Sequence, residues 1–126
     1  MIRMILRALA GAAALFLLFV AVQFWIDPVA AAAKMGLTAH GAVGLATLRA
    51  DNAGAFSVIG LLALLGAIRD DGRLFLAPLV FLGFALLGRI VTLAQLGVLP
   101  DLIPPMIVEA ALIAVFAAAR WTVRES

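Results

Sequence analysis

Four apolar runs dominate this chain, each about as long as a bilayer is thick. They cover about residues 5–26, 46–68, 74–96 and 104–121. A membrane-spanning helix needs roughly 20 predominantly apolar residues. Lipid satisfies no backbone hydrogen bond, so a run that crosses it must fold as a helix. The connections between the runs are mostly short. The predicted fold is therefore all-α: an antiparallel four-helix transmembrane bundle, in a single domain of 126 residues. The second run has the least defined start, between Gly41 and Ala50.

The breaks are consistent with this reading. Arg69-Asp70-Asp71-Gly72-Arg73 is expected to join runs two and three as a tight turn. Residues 97–103 join runs three and four, and Pro104-Pro105 suits a helix start. Residues 27–40 are longer and rich in Ala, holding either a short interfacial helix or a backward extension of span two. Pro78 is expected to bend the third run locally. The first run imitates a signal peptide, with Arg3 and Arg7 ahead of it and Ala31-Ala32-Ala33 behind. An h-region is only about 7–15 residues long, so a retained signal anchor is expected instead.

Orientation follows from the basic residues. Arg3, Arg7, Arg69, Arg73, Arg120 and Arg124 fall on one side, against Lys34 alone on the other. The positive-inside rule makes the arginine-rich side cytoplasmic, with both termini there. Trp25 and Trp121 then mark opposite interfaces. The expected location is a bacterial inner membrane.

Composition excludes several function classes. The chain is 67% hydrophobic, has no cysteine and has one histidine. A soluble domain is nearer half apolar. Disulfides, thiolate ligands and cysteine nucleophiles are excluded. So is a multi-histidine metal site, and no cofactor is expected. The net charge of +2 does not point to nucleic acid, because the basic residues are split among helix ends.

Four charged residues remain once the loops are set aside: Arg49 and Asp51 in span two, Arg89 in span three and Glu109 in span four. By helical rise, Arg89 sits about two turns below the outer end of its span and Glu109 about one and a half turns in. All four are expected in the outer half of the membrane. Gln23, Asn52, Thr92 and Gln95 join them, and the inner half has almost nothing comparable. A charge at the bilayer centre costs about 2.5–3.5 kcal/mol on insertion scales, so such groups pair, line a cavity or snorkel outward. Arg49 and Asp51 point about 200° apart on an α-helix. Interhelical pairs are therefore expected: Arg89 with Asp51 or Glu109, and Arg49 with the remaining carboxylate. Two readings stay open, a structural clamp that fixes helix register and an outward-facing polar pocket.

Other features are simpler. Gly54, Gly60 and Gly66, with Ala50, Ala53 and Ala63, make span two slim enough for close internal packing. Gly83 and Gly88 read the same way in span three. His40 reads as a solvated loop residue. No phosphate-binding loop, zinc-protease motif or serine-nucleophile elbow is present.

The stretch Leu48-Arg49-Ala50-Asp51-Asn52-Ala53-Gly54 resembles the second-helix signature of a bacterial family. So does Leu87-Gly88-Arg89-Ile90-Val91-Thr92-Leu93, followed by Gly97, Pro100 and Glu109. That family comprises small four-helix membrane proteins known only as a domain of unknown function, similar in outline to the DoxX-like proteins. Asp51-Asn52 stands where an aromatic or apolar residue is usual. The resemblance implies the four-helix fold and picks out Arg49, Arg89 and Glu109; it implies no activity or cofactor.

The leading expectation is a non-enzymatic accessory or assembly protein. It would bind lipid or a larger membrane partner through its helices, or associate with further copies of itself. A small oligomeric transporter or channel is the alternative. A membrane enzyme acting on a lipid or quinone, with Glu109 as acid/base and Arg89 as anion holder, is the third reading.

Overall fold

A computed structural model describes residues 1–97 and 100–123. Arg124 and part of the loop at 97–103 lie outside the described residues. Among the described residues the chain is almost entirely helical and has no strand. The elements are α1 (Ile2–Ile26), α2 (Pro28–Lys34), α3 (Gly41–Thr47), α4 (Gly54–Arg69), α5 (Leu76–Leu96) and α6 (Ile103–Val123). A π-helical turn, Leu48–Ala53, makes α3 and α4 one continuous run. Short 3-10 turns, Gly72–Phe75 and Pro100–Leu102, lead into α5 and α6. Four helical runs are long and apolar enough to cross a membrane: Ile2–Ile26, Gly41–Arg69, Gly72–Leu96 and Pro100–Thr122. The second run thus begins at Gly41, earlier than the expected 46.

α1 is the central strut. Its buried residues are Ala10, Ala14, Leu17, Ala21 and Phe24. That alternation of four and three is the seam of a helix packed at a shallow crossing angle. α1 lies against α4 and α6, and α5 bridges α4 and α6. The principal core joins Ala10, Ala14 and Leu17 to Ile59, Ala63, Ala67, Phe75, Leu82, Leu112, Phe116 and Ala119. Phe75 stacks on Phe116 with ring centroids 5.8 Å apart. A smaller cluster, Phe24, Ala31, Ala32, Leu48 and Ala53, seals α2 and the π-turn onto the end of α1.

Small residues set the α1–α4 spacing. A Cβ at Gly60 would come within 2.9 Å of Leu18 Cγ, so only glycine allows this approach. Gly66 likewise faces Phe75 and the Asp71 carbonyl, at 3.1 Å each. The expectation of close packing fails at Gly54, Gly83 and Gly88, where a Cβ would meet nothing within 4 Å. Ala50 is also exposed, whereas Ala53 and Ala63 are fully buried.

The connections follow local chemistry. Asp27 caps α2 by accepting the Ala30 N–H at 3.2 Å, with Pro28 in the first turn. Gly36, at φ +77°, ends that helix: its own N–H reaches Ala33 O at 3.1 Å, and the Leu37 N–H reaches Ala32 O at 2.9 Å. Pro78 falls in the first turn of α5, where it displaces no intrahelical hydrogen bond. Pro104 and Pro105 occupy the first turn of α6. The turn after α4 is tight, as expected. Asp70 takes the left-handed conformation at φ 56°, and the Asp71 N–H closes onto Gly66 O at 3.0 Å.

Candidate functional site

α5 is the least embedded of the long helices. It buries only Pro78 and Leu82, and nothing from residue 83 onward is buried. Its second half is exposed or half-buried along its whole length. The space left between the helices is a cavity of about 350 Å³. α1 contributes Phe16, Leu17 and Val20, the second run contributes Asn52 and Phe56, and Met35 reaches in from the α2–α3 connection. Phe81, Leu82, Ala85 and Arg89 come from α5, with Pro105, Val108, Glu109 and Leu112 from α6. Phe56 anchors the wall, stacked on Phe24 at 6.0 Å and edge-on to Phe81 at 6.2 Å.

Three polar side chains break this apolar lining: Asn52, Arg89 and Glu109. Arg89 Nε donates to Glu109 Oε1 at 2.7 Å, joining α5 to α6. The Glu109 side chain is 12% accessible and that of Arg89 27%, so the pair is largely withdrawn from its surroundings. Arg89 carries five N–H donors and spends one on this contact. Its Nη donors and the Asn52 amide make no hydrogen bond among the described residues, and no buried side-chain polar atom is left unsatisfied there. These groups therefore reach accessible space at the cavity.

Asn52 owes its position to the π-turn. Leu48 and Ala53 are buried at its two ends, Asn52 is half-buried, and Arg49 and Asp51 are exposed. π-Turns insert an extra residue into a helix and re-aim the side chains around it. The same segment thus turns its amide inward and its two charges outward.

The expected site is therefore brought together only in part. Of the two partners open to Arg89, the structure pairs it with Glu109. The carboxylate partner expected for Arg49 is corrected: Arg49 Nε donates instead to the Trp25 carbonyl at 3.3 Å. A cation at the C-terminal carbonyls of α1 is favoured by the helix dipole and supplies a donor to an orphan acceptor. Asp51 has no hydrogen bond or ion pair among the described residues. Thr92 is occupied within its own helix, donating to Gly88 O at 3.0 Å. Gln23 is half-buried and Gln95 exposed, and neither lines the cavity.

The sequence did not reveal a second polar cluster, at the turn after α4. Arg3 grips Asp70 with two donors: Nε to Oδ1 at 3.0 Å, and Nη2 to Oδ2. Arg7 donates to the last carbonyls of α4, at Ala67 (2.8 Å) and Ile68 (3.0 Å), and lies 3.7 Å from Asp70 Oδ1. Arg120 reaches the Gly72 carbonyl at 3.5 Å. These contacts lie at helix ends and in the turn after α4, outside the stretches for which a nearly featureless inner half was expected. The i, i+4 spacing of Arg3 and Arg7, which puts both on one helix face, was the available signal. In Asp71 the side-chain hydrogen bond from Arg73, then the Arg73 backbone N–H, hold the carboxyl below its usual range.

Fold and site together define, among the described residues, a helical chain in which four membrane-length helices line a largely apolar, partly open cavity with a charge pair on its wall. No protein-family model matches the chain, no curated protein matches it, and no solved structure matches it.

Proposed function

We propose that this is a non-enzymatic membrane protein that binds a lipid or the polar group of a membrane partner in the Asn52–Arg89–Glu109 cavity. The observation that carries the reading is that, among the described residues, the charged pair joining α5 to α6 lies on the wall of this cavity. A pair serving only as a clamp needs no cavity beside it, and no half-buried amide facing the same space. Apolar walls with a few convergent polar groups are the usual make-up of a ligand site.

The proposed setting is a bacterial inner membrane, with the helices antiparallel and both termini cytoplasmic. Support comes from the contact of Arg3, at the start of α1, with Asp70, just after α4. At the other end of α1, Trp25 Nε1 donates to Ser57 Oγ at 3.1 Å, near the start of α4. The arginines gathered around the Asp70 turn are the cytoplasmic signal. The resemblance of the Arg49 and Arg89 stretches to the four-helix family of unknown function supports the same fold.

Gentle extraction followed by native mass spectrometry tests the proposal. A bound amphiphile or a co-purifying membrane chain is expected, and Asn52→Leu, which closes the polar wall, should deplete it. A chain that emerges alone from every mild detergent overturns the reading.

A further inference from the structure

We infer that the cavity selects a single-chain amphiphile with an uncharged, hydroxyl-bearing head, and discriminates against anionic lipids. The inference rests on the proposed ligand-binding role of the cavity and names the chemistry of its occupant.

Charge is the first argument. Among the lining residues only Arg89 and Glu109 are charged, and they neutralise each other at 2.7 Å. An anion taken by the free Nη donors of Arg89 would set a second negative charge beside the Glu109 carboxylate, which is only 12% accessible and has one cation to share with it. A cation would meet the same obstacle from Arg89. A neutral head leaves the pair intact.

Hydrogen bonding is the second argument. The Nη groups of Arg89 offer donors only. The Glu109 carboxylate accepts in the pair through Oε1, and its Oε2, a further acceptor, makes no hydrogen bond among the described residues. Asn52 offers both. The complementary head therefore has carbonyl or ether acceptors for Arg89 and at least one hydroxyl for Glu109.

Size is the third. At ~30 Å³ for each water-sized group, 350 Å³ takes about a dozen non-hydrogen atoms. The cavity is partly open, so this volume bounds only the head and the first carbons: a glycerol head with one ester fits it, whereas a glycerophosphate with two esters is larger. Phe16 at 44% and Phe81 at 36% exposure line the same cavity. They give the rest of the chain an apolar exit between α1 and α5.

The test uses the full-length protein in phosphatidylcholine nanodiscs and three radiolabelled probes with the same oleoyl chain: monooleoylglycerol, oleate, and oleoyl lysophosphatidic acid. Saturable binding of monooleoylglycerol, about tenfold or more tighter than either anion, is expected at pH 8. Glu109→Gln keeps the side-chain shape and leaves Arg89 uncompensated. It should reverse the preference toward the anions by a similar factor, a change that a purely structural pair would not produce. Wild-type protein that prefers an anionic probe overturns this inference and leaves the ligand-binding reading standing. Absence of saturable binding by all three probes, in protein that remains folded by circular dichroism, overturns this inference and the lipid arm of the proposed function, and leaves its partner arm to the mass spectrometry.

Discussion

Arg89 Nε and Glu109 Oε1 meet at 2.7 Å across α5 and α6. They do so in the half of α5 that buries no side chain of its own. Apolar packing therefore does little to hold this part of α5, and the charged pair is its specific tie to α6. Arg89→Ala should lower the thermal unfolding midpoint in detergent, corresponding to about 1–3 kcal/mol. That is below the ~3–5 kcal/mol for a fully buried pair, because part of the arginine is accessible. The double change Arg89→Leu with Glu109→Leu should recover much of the loss. A thermally silent Arg89→Ala sinks the tie.

Asp70 serves two ends at once. Its backbone takes the left-handed turn that stops α4, and its carboxylate receives Arg3. Asp70→Asn keeps a residue type that tolerates the turn and removes the charge; its cost should be about 1 kcal/mol or less, since the pair is partly exposed. Asp70→Ala loses both functions and should cost more, because a left-handed residue with a plain Cβ adds roughly 1–2 kcal/mol. Asp70→Gly should fall on the mild side of Ala. Unfolding midpoints that rank Asn as worse than Ala would contradict this account.

Gly60 sets the distance between α1 and α4. Gly60→Ala pushes a methyl group to 2.9 Å from Leu18 Cγ, and overpacking of this kind costs typically 1–3 kcal/mol, roughly. Adding Leu18→Ala should restore part of the stability. Gly83→Ala, where a Cβ meets nothing, is the control and should be neutral or mildly stabilising.

Asp71 lies between the second and third candidate spans, and Arg73 holds its carboxyl below the usual range, through its side chain and then its backbone N–H. A carboxyl lowered on folding contributes stability above its unfolded pKa. That contribution is lost as pH falls through the lower, folded value. Acid titration of the unfolding midpoint should show this loss in the wild type and a smaller slope in Asp71→Asn. Identical slopes would remove Asp71 from the acid response. The Arg73 side chain is 85% accessible and that of Asp71 29%, so solvent screens the pair and the effect is small.

The chain has no cysteine, so single replacements report orientation directly. His40→Cys should react with a membrane-impermeant maleimide added to intact cells or spheroplasts. Asp71→Cys should react only after the membrane is opened. The reverse pattern would invert the proposed topology.

Hydropathy is a property of the chain read one residue at a time. The four long helices, the tight turn at 69–73 and the helix start at Pro104-Pro105 were therefore legible before any contact was known. The cost of charge in an apolar run also marked Arg89 and Glu109. The sequence could not tell which way each helix faces. These helices are apolar on every side, so no amphipathic stripe records their rotation. Tertiary packing made that choice: it set Arg89 against Glu109 rather than Asp51, sent Arg49 to the Trp25 carbonyl, and brought Arg3 and Arg7 to the end of α4. The π-turn also belongs to the tertiary structure: it buries Leu48 and Ala53 with Asn52 at the cavity and Asp51 outside, and such a backbone event is not encoded by hydropathy.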